Sequence, residues 1–290
     1  LFEHLPTDYG GFANREHRWI RGDWQIARWV MPSVPGPGGK PNKNLLTLIN
    51  RWRIFDNLRR SLVPIAAFLL LMLGWLLSPT PWVWGFIVFL AVAIPAVAPL
   101  LDRMARKVEG TVQRWQGASD ELVRMLVTIA FLPHQAWLSA DAFVRVHYRL
   151  CVSHRKLLEW RTAARARVES QLHMDATMRR LVIISGLSVA LAALLATTHA
   201  LAPASFYLFL WLASPLLMKW LSRPTGRAYR QSLTDDEVRF LRNLSRRTWR
   251  FFDDLVSEKR NWLPPDNTQL ALRIEVAERT SPTNIGLWLT

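Results

Sequence analysis

Residues 61–101 hold no Lys, Arg, Asp, Glu or His, and read SLVPIAAFLLLMLGWLL, then SPTP, then WVWGFIVFLAVAIPAVAPLL. Each apolar half is about 17–20 residues long, the length that crosses a ~30 Å hydrocarbon layer at 1.5 Å per residue. Four turn-prone residues separate the halves, so a transmembrane hairpin is expected. A second hairpin is expected from residues 181–196 and 204–218, joined by a short link around His199 and Pro203. A helix in a water-soluble core seldom stays uncharged on every face for so long, which argues against a pair of hairpins buried in a soluble protein.

The charge pattern orients these spans. The net charge is +15, and the basic residues gather before the first span, between residues 103 and 180, and after the last span. The hairpin tips, residues 78–81 and 197–204, have no Lys or Arg. Such an asymmetry places both ends and the central loop on the cytoplasmic side. The basic excess is thereby accounted for by topology and by attraction to anionic headgroups, and no nucleic-acid-binding module is recognisable. The lone cysteine, Cys151, excludes an internal disulfide. The chain opens on Leu1 without a signal-peptide pattern and is read as a piece of a longer protein.

The densest chemical signal precedes the spans. Gly10 and Gly11 are expected to break the chain, and residues 12–31 to form a helix with Trp19, Ile20, Trp24, Ile26, Ala27 and Val30 on one apolar arc. Arginine forks match the bidentate geometry of a diphosphate, as Arg15 and Arg18 would. Indole faces, as of Trp19 and Trp24, match the apolar faces of sugar rings, and Asp23 and Gln25 suit hydroxyl groups. These six residues are the candidate substrate-binding set. The plain alternative for the same residues is an amphipathic interfacial helix with tryptophans at headgroup depth.

Arg15-x-x-Arg18-Trp19 resembles the (Q/R)xxRW motif of processive, membrane-embedded family-two-type glycosyltransferases. The longer string from Glu16 to Gln25, with Leu1 to Pro6 and Trp52 to Leu62, resembles cyclic β-1,2-glucan synthases, and the resemblance runs to Thr290. It implies that this helix lies under an acceptor channel, with Arg18 facing the donor diphosphate and Trp19 stacking on the acceptor glucose. It also implies a divalent metal (Mg or Mn), UDP-glucose and a glucan chain as partners of the whole protein. The family's DxD metal motif and its catalytic-base Asp are not among these residues, so no catalytic residue is expected in the chain and no activity of the isolated piece.

Elsewhere the expectations are local. Residues 33–41 are a Pro/Gly linker, and residues 44–62 an amphipathic helix lying flat on the membrane. Residues 122–132 are apolar but too short to span, so an interfacial or re-entrant helix is expected there, ended or kinked by Pro133. A helix should continue over residues 136–167. Its His147, Cys151 and His154 would share one face, a spacing that could seat zinc but reads more simply as an ordinary helix surface. Thr234 and Glu237 match a capping box opening a helix to about Glu258, with Phe240, Leu241, Leu244, Trp249, Phe252 and Leu255 inward. Residues 261–267 and 279–287 have a sugar-binding composition of Asn, Asp, Thr and Arg around tryptophan. By resemblance they look like the opening of a glucoamylase-like domain.

The sequence thus reads as an all-α membrane chain: two transmembrane helical hairpins with amphipathic interfacial helices, flanked by partial soluble domains. The expected divisions are 1–32 (end of a glycosyltransferase domain), 33–60 (linker and interfacial helix), 61–101 (hairpin one), 102–180 (cytoplasmic helical loop), 181–219 (hairpin two) and 220–290 (start of the glucoamylase-like domain). The expected function is that of the membrane segment of an inverting glucosyltransferase in a bacterial inner membrane, with the lipid bilayer as its surroundings. A transporter or a purely structural anchor is the alternative. A transporter would be expected to show ionisable or discontinuous elements at mid-membrane.

Overall fold

A computed structural model of the chain describes residues 8–36, 40–106, 111–155, 163–223, 233–269 and 275–289. Helix dominates these residues. Two units separate at Pro224/Thr225.

In the first unit, α1 (Tyr9–Gln25) runs into a 3-10 turn (Ala27–Val30). The break expected at Gly10 and Gly11 is absent, because the Asp8 side chain caps the helix by accepting from the Gly11 amide at 2.7 Å. The expected single helix over residues 12–31 is accordingly shifted toward the N-terminus and stops at Gln25. The Pro/Gly segment makes a small antiparallel pair, β1 (Ser33–Pro35) with β2 (Pro41–Lys43), in the register Ser33↔Lys43 and Val34↔Asn42. Asn44 fastens it, donating to the carbonyls of Trp29 and Met31 and accepting from the Leu46 amide.

Helix α2 (Leu48–Leu77) is unbroken over 30 residues. The amphipathic segment expected to lie flat is therefore no separate element, but the first turns of the first span's own helix. Its Leu48, Ile49, Trp52 and Phe55 are exposed. Helix α3 (Pro81–Arg106) returns alongside α2. Gly74 lets it come close, since a Cβ there would stand 2.4 Å from the Cβ of Trp84. After α4 (Thr111–Ala130) and α5 (Leu132–Tyr148) come α6 (Ala163–Leu195) and α7 (Leu201–Leu221), which pack as the second hairpin.

Among the described residues, Leu48–Leu77, Asp175–Leu195 and Leu201–Leu221 are long and apolar enough to cross a membrane, and Pro81–Pro95 is a shorter apolar stretch within α3. The chain is a helical membrane protein built on two hairpins.

Residues 122–132, expected as an interfacial or re-entrant helix ended or kinked by Pro133, are broken there, with Leu122 and Val123 exposed. They form the end of α4 and the corner into α5, where Ile129, Phe131 and Leu132 are buried in protein. The corner has a clear cause. Pro133 has no amide hydrogen, so the Ile129 carbonyl four residues earlier loses its helical donor. The indole N–H of Trp211 on α7 supplies one at 3.0 Å. Pro215 does the same to the Trp211 carbonyl, which accepts instead from the hydroxyls of Ser214 at 2.8 Å and Ser185 at 3.3 Å. Two prolines thus convert helix breaks into ties between helices.

The helix expected over residues 136–167 does not persist. α5 ends at Tyr148, a π-type turn spans Arg149–Ser153, and His154 adopts a left-handed conformation at φ 49°. That widened turn removes His147, Cys151 and His154 from a shared helical register. Leu157, Leu158 and Trp160 lie outside the described residues.

The second unit opens with α8 (Asp235–Leu255), whose N-terminus carries the expected box: Thr234 accepts from the Glu237 amide and Glu237 accepts from the Thr234 amide. The expected inward stripe is a correction. Only Phe252 of it is buried, whereas Phe240, Leu241, Leu244 and Trp249 are exposed. Periodicity made the stripe, but no described element covers it. Beyond, β3 (Thr268–Gln269) pairs with β4 (Glu275–Val276), and Ser281 caps α9 (Pro282–Trp288). Loop side chains of supposed sugar-binding composition fasten the loops to each other: Arg279 meets Asp266 at 3.1 Å, and Asn284 donates to the carbonyls of Pro265 and Asp266. Trp262 stays exposed.

Candidate functional site

Helix α1 lies between α2, α5 and α6, and its position is set by side chains of three kinds. Ala13 and Ile20 are buried against Leu138 and Ala142 of α5. Tyr9 stacks on Phe131 at 4.0 Å, and its hydroxyl lies 3.0 Å from His134 Nδ1. Trp24 packs edge-on against Phe143 at 4.6 Å and donates its indole N–H to Ser61 Oγ of α2 at 3.0 Å.

Those contacts sort the candidate residues. Trp19 is half exposed, with the Arg15 guanidinium over its ring at 4.8 Å. Trp19, Arg18 and Asp23 line one cavity of about 630 Å³, closed on the α2 side by Asn57, Arg60 and Ser61. Asp23 accepts from the Asn57 amide at 3.2 Å. Burial pushes its carboxyl above the usual range, against the opposing pull of that hydrogen bond and of Arg60. Glu16, in the same cavity, is likewise pushed up by burial, partly offset by Arg15. The Nε atoms of Arg15 and Arg18 are buried without a hydrogen-bond partner among the described residues. A buried donor without an acceptor costs on the order of 1–3 kcal/mol, so both side chains are disposed to take one from a ligand.

Trp24 and Gln25 are not brought into this cavity. Trp24 is committed to Phe143 and Ser61, and Gln25 is the last residue of α1. Both tryptophans belong to one helix of similar composition, and only tertiary packing separates a wall from an open face.

The opposite side of α1 holds a second cavity, of about 360 Å³, that sequence reasoning missed. Arg18 and Arg21 of α1 meet Arg145 and Arg149 near the end of α5 and Arg180 of α6, with Asp141 as the one carboxylate among the described lining residues. Asp141 lies 2.8 Å from His17 Nε2 and 2.6 Å from Arg145 Nε. Burial raises the Asp141 carboxyl, but the hydrogen bonds from Arg145 and His17 outweigh it and hold it below the usual range. Burial pushes His17 below its ordinary value despite the Asp141 contact. The spacing of 141, 145 and 149 on one helical face was a legible signal, whereas the approach of α6 was not.

Among the described residues, no three His, Cys, Asp or Glu side chains converge as a metal site. The described residues therefore offer no ligand set to a divalent metal.

Fold and side chains together define a helical membrane protein with an arginine- and tryptophan-bearing site where its apolar hairpins meet their basic flanks. Over 302 aligned residues, covering the whole chain, it is 35% identical to the cyclic β-(1,2)-glucan synthase NdvB of Rhizobium meliloti (strain 1021). The resemblance carried by the α1 motif therefore extends along the full length. The chain spans about a tenth of that relative. No family model matches it.

Proposed function

We propose that this chain is the membrane-embedded part of a processive inverting glucosyltransferase that extends a β-1,2-glucan from UDP-glucose, with α1 under the acceptor channel. The similarity to a glucan synthase supports the class of reaction. The observation that carries the site is the half-exposed Trp19 sharing one cavity with Arg18 and Asp23. The acceptor glucose stacks on the Trp19 face left open by Arg15, and Asp23 receives hydrogen bonds from its hydroxyls. The acceptor 2-hydroxyl attacks C1 of the donor glucose, the bond from C1 to the diphosphate oxygen breaks, and UDP departs. The Arg18 guanidinium stabilises the charge that develops on the departing diphosphate. The proton from the acceptor hydroxyl goes to a base outside this chain, and the acidic residues for Mg or Mn are assigned there too. Both chain ends and residues 102–180 are placed on the cytoplasmic face of a bacterial inner membrane, and residues 220–290 open a glucan-processing domain.

The test uses the full-length protein in membranes. Arg18→Ala should slow UDP release by about 100- to 1000-fold, the loss seen when a comparable donor to developing charge is removed. Trp19→Ala should shorten the glucan and weaken acceptor engagement by roughly 1 kcal/mol, about fivefold. If both variants insert normally and make glucan at the parental rate and length, α1 is only an anchor, as in the transporter and structural readings.

A further inference from the structure

The α2 wall of the cavity that holds Trp19 carries a directed chain of hydrogen bonds. Arg60 donates to Asn57 Oδ1 at 2.7 Å, and the Asn57 amide nitrogen donates to Asp23 Oδ1 at 3.2 Å. A guanidinium only donates and an ionised carboxylate only accepts, so one orientation of the Asn57 amide satisfies both neighbours. Arg60 is itself held by Asp56, one turn before it, at 3.0 Å. Among the described residues, the Asn57 amide is the donor that meets the Asp23 carboxylate, and it meets one oxygen of the two. The second oxygen is left to a donor from the cavity. Trp19 and Asp23 are four residues apart and share a face of α1. Nothing lies within 4 Å of the point where a Cβ on Gly22 would stand, so the cavity reaches down to the helix beside them.

We propose that Asn57 is a positioning residue for the acceptor: it holds the Asp23 carboxylate in the orientation from which the second oxygen receives an acceptor hydroxyl. The first spanning helix then shares acceptor recognition with α1. The proposal rests on the transferase reading of this cavity and adds the residue that orients its carboxylate. The hydrogen bond is not needed to join the helices. Trp24 already ties α1 to Ser61 of α2, one turn beyond Asn57. A neutral pair would serve as a structural tie without the cost of withdrawing a carboxylate from water. Burial pushes the Asp23 carboxyl up, and the Asn57 donor is the first force that opposes it. Without that donor the carboxylate is free to turn toward Arg60 or to take a proton, and either change removes the acceptor's partner.

The experiment uses the full-length protein in membranes, with UDP release measured against UDP-glucose and against a soluble β-1,2-linked glucose oligosaccharide as acceptor. Asn57→Ala should raise the KM for the oligosaccharide about tenfold, while kcat and the KM for UDP-glucose stay within about twofold. Asn57→Asp, of nearly the same size, should raise it further, because a second negative charge then faces Asp23. Combining Asp23→Asn with Asn57→Asp restores donor and acceptor with their roles reversed. That exchange should lower the oligosaccharide KM about fivefold from the Asn57→Asp value. Thermal unfolding checks that each variant folds, and Asn57→Ser replaces Asn57→Ala if that one does not. A parental oligosaccharide KM in Asn57→Ala overturns the proposal. So does an equal rise in both KM values, which would make the bond a structural tie, and so does an exchange variant no better than Asn57→Asp. Trp19→Ala is measured beside them. If it raises the oligosaccharide KM and Asn57→Ala does not, this proposal alone falls; if neither does, the transferase reading falls with it.

Discussion

Two sides of the 17-residue helix α1 are used differently. One side, through Tyr9, Ala13, Ile20 and Trp24, is closed against α5 and α2 by ring stacking, an indole hydrogen bond and apolar burial. The other presents Trp19 with Arg18 and Asp23 to a cavity. Stability should therefore reside on the first side and turnover on the second. Substitutions that disturb one property and spare the other would sharpen that division, and mixed effects would break it.

The largest effect is expected at Ile20, which is 4% exposed among Ala13, Leu138 and Ala142. Ile20→Ala should cost roughly 2–5 kcal/mol of stability, read as a lowered unfolding midpoint of the solubilised full-length protein. A midpoint shift no larger than that of a surface variant would mean that α1 is not anchored through α5.

Next comes the pH dependence that His134 imposes on the packed side. Its folded pKa is about 4 against 6.5 for the free side chain, because burial and then Arg180 oppose the charged form. Below pH 6.5 the unfolded chain takes up a proton that the folded chain refuses. The contribution is therefore complete above pH 6.5 and is lost as the pH falls toward 4, by about 3 kcal/mol at the end of that window. His134→Gln should flatten the fall in unfolding midpoint between pH 6.5 and 4.5. An unchanged slope would assign the acid sensitivity to other groups.

The smallest effect separates the two tryptophans. Trp24→Phe keeps the ring against Phe143 but removes the donor to Ser61, at a cost of roughly 1 kcal/mol in stability. Trp19→Ala, on the open side, should change stability by no more than about 0.5 kcal/mol while altering glucan length. Urea or thermal unfolding of the pair, beside product sizing, checks both. Equal destabilisation would place Trp19 in the packed side.

Much of the architecture was legible residue by residue. Apolar runs at 61–101, split by residues 78–81, and at 181–196 and 204–218 marked the hairpins, because burying an unpaired charge in lipid is costly wherever the rest of the chain lies. The Thr234/Glu237 box marked the start of α8, because capping acts within a single turn. Other local signals were outweighed. Gly10 and Gly11 stayed helical once Asp8 satisfied an end amide, and Ile129, Phe131 and Leu132 at the end of the apolar 122–132 stretch are buried in protein.

What the sequence by itself determined, then, is that the hairpin segments are helical and apolar enough for a membrane, where α8 begins, and that α1 concentrates Arg and Trp. These follow from periodicity and from groups within four residues of each other. Only the tertiary structure decided which tryptophan remains open, that Trp211 answers the carbonyl freed by Pro133 from 82 residues away, and that Arg180 completes a cavity begun on α1 and α5. A freed carbonyl or an unpaired guanidinium states a need that any suitable group can meet. Which group meets it depends on which helices can pack together without leaving voids or stranded polar atoms, and that is a property of the whole assembled bundle.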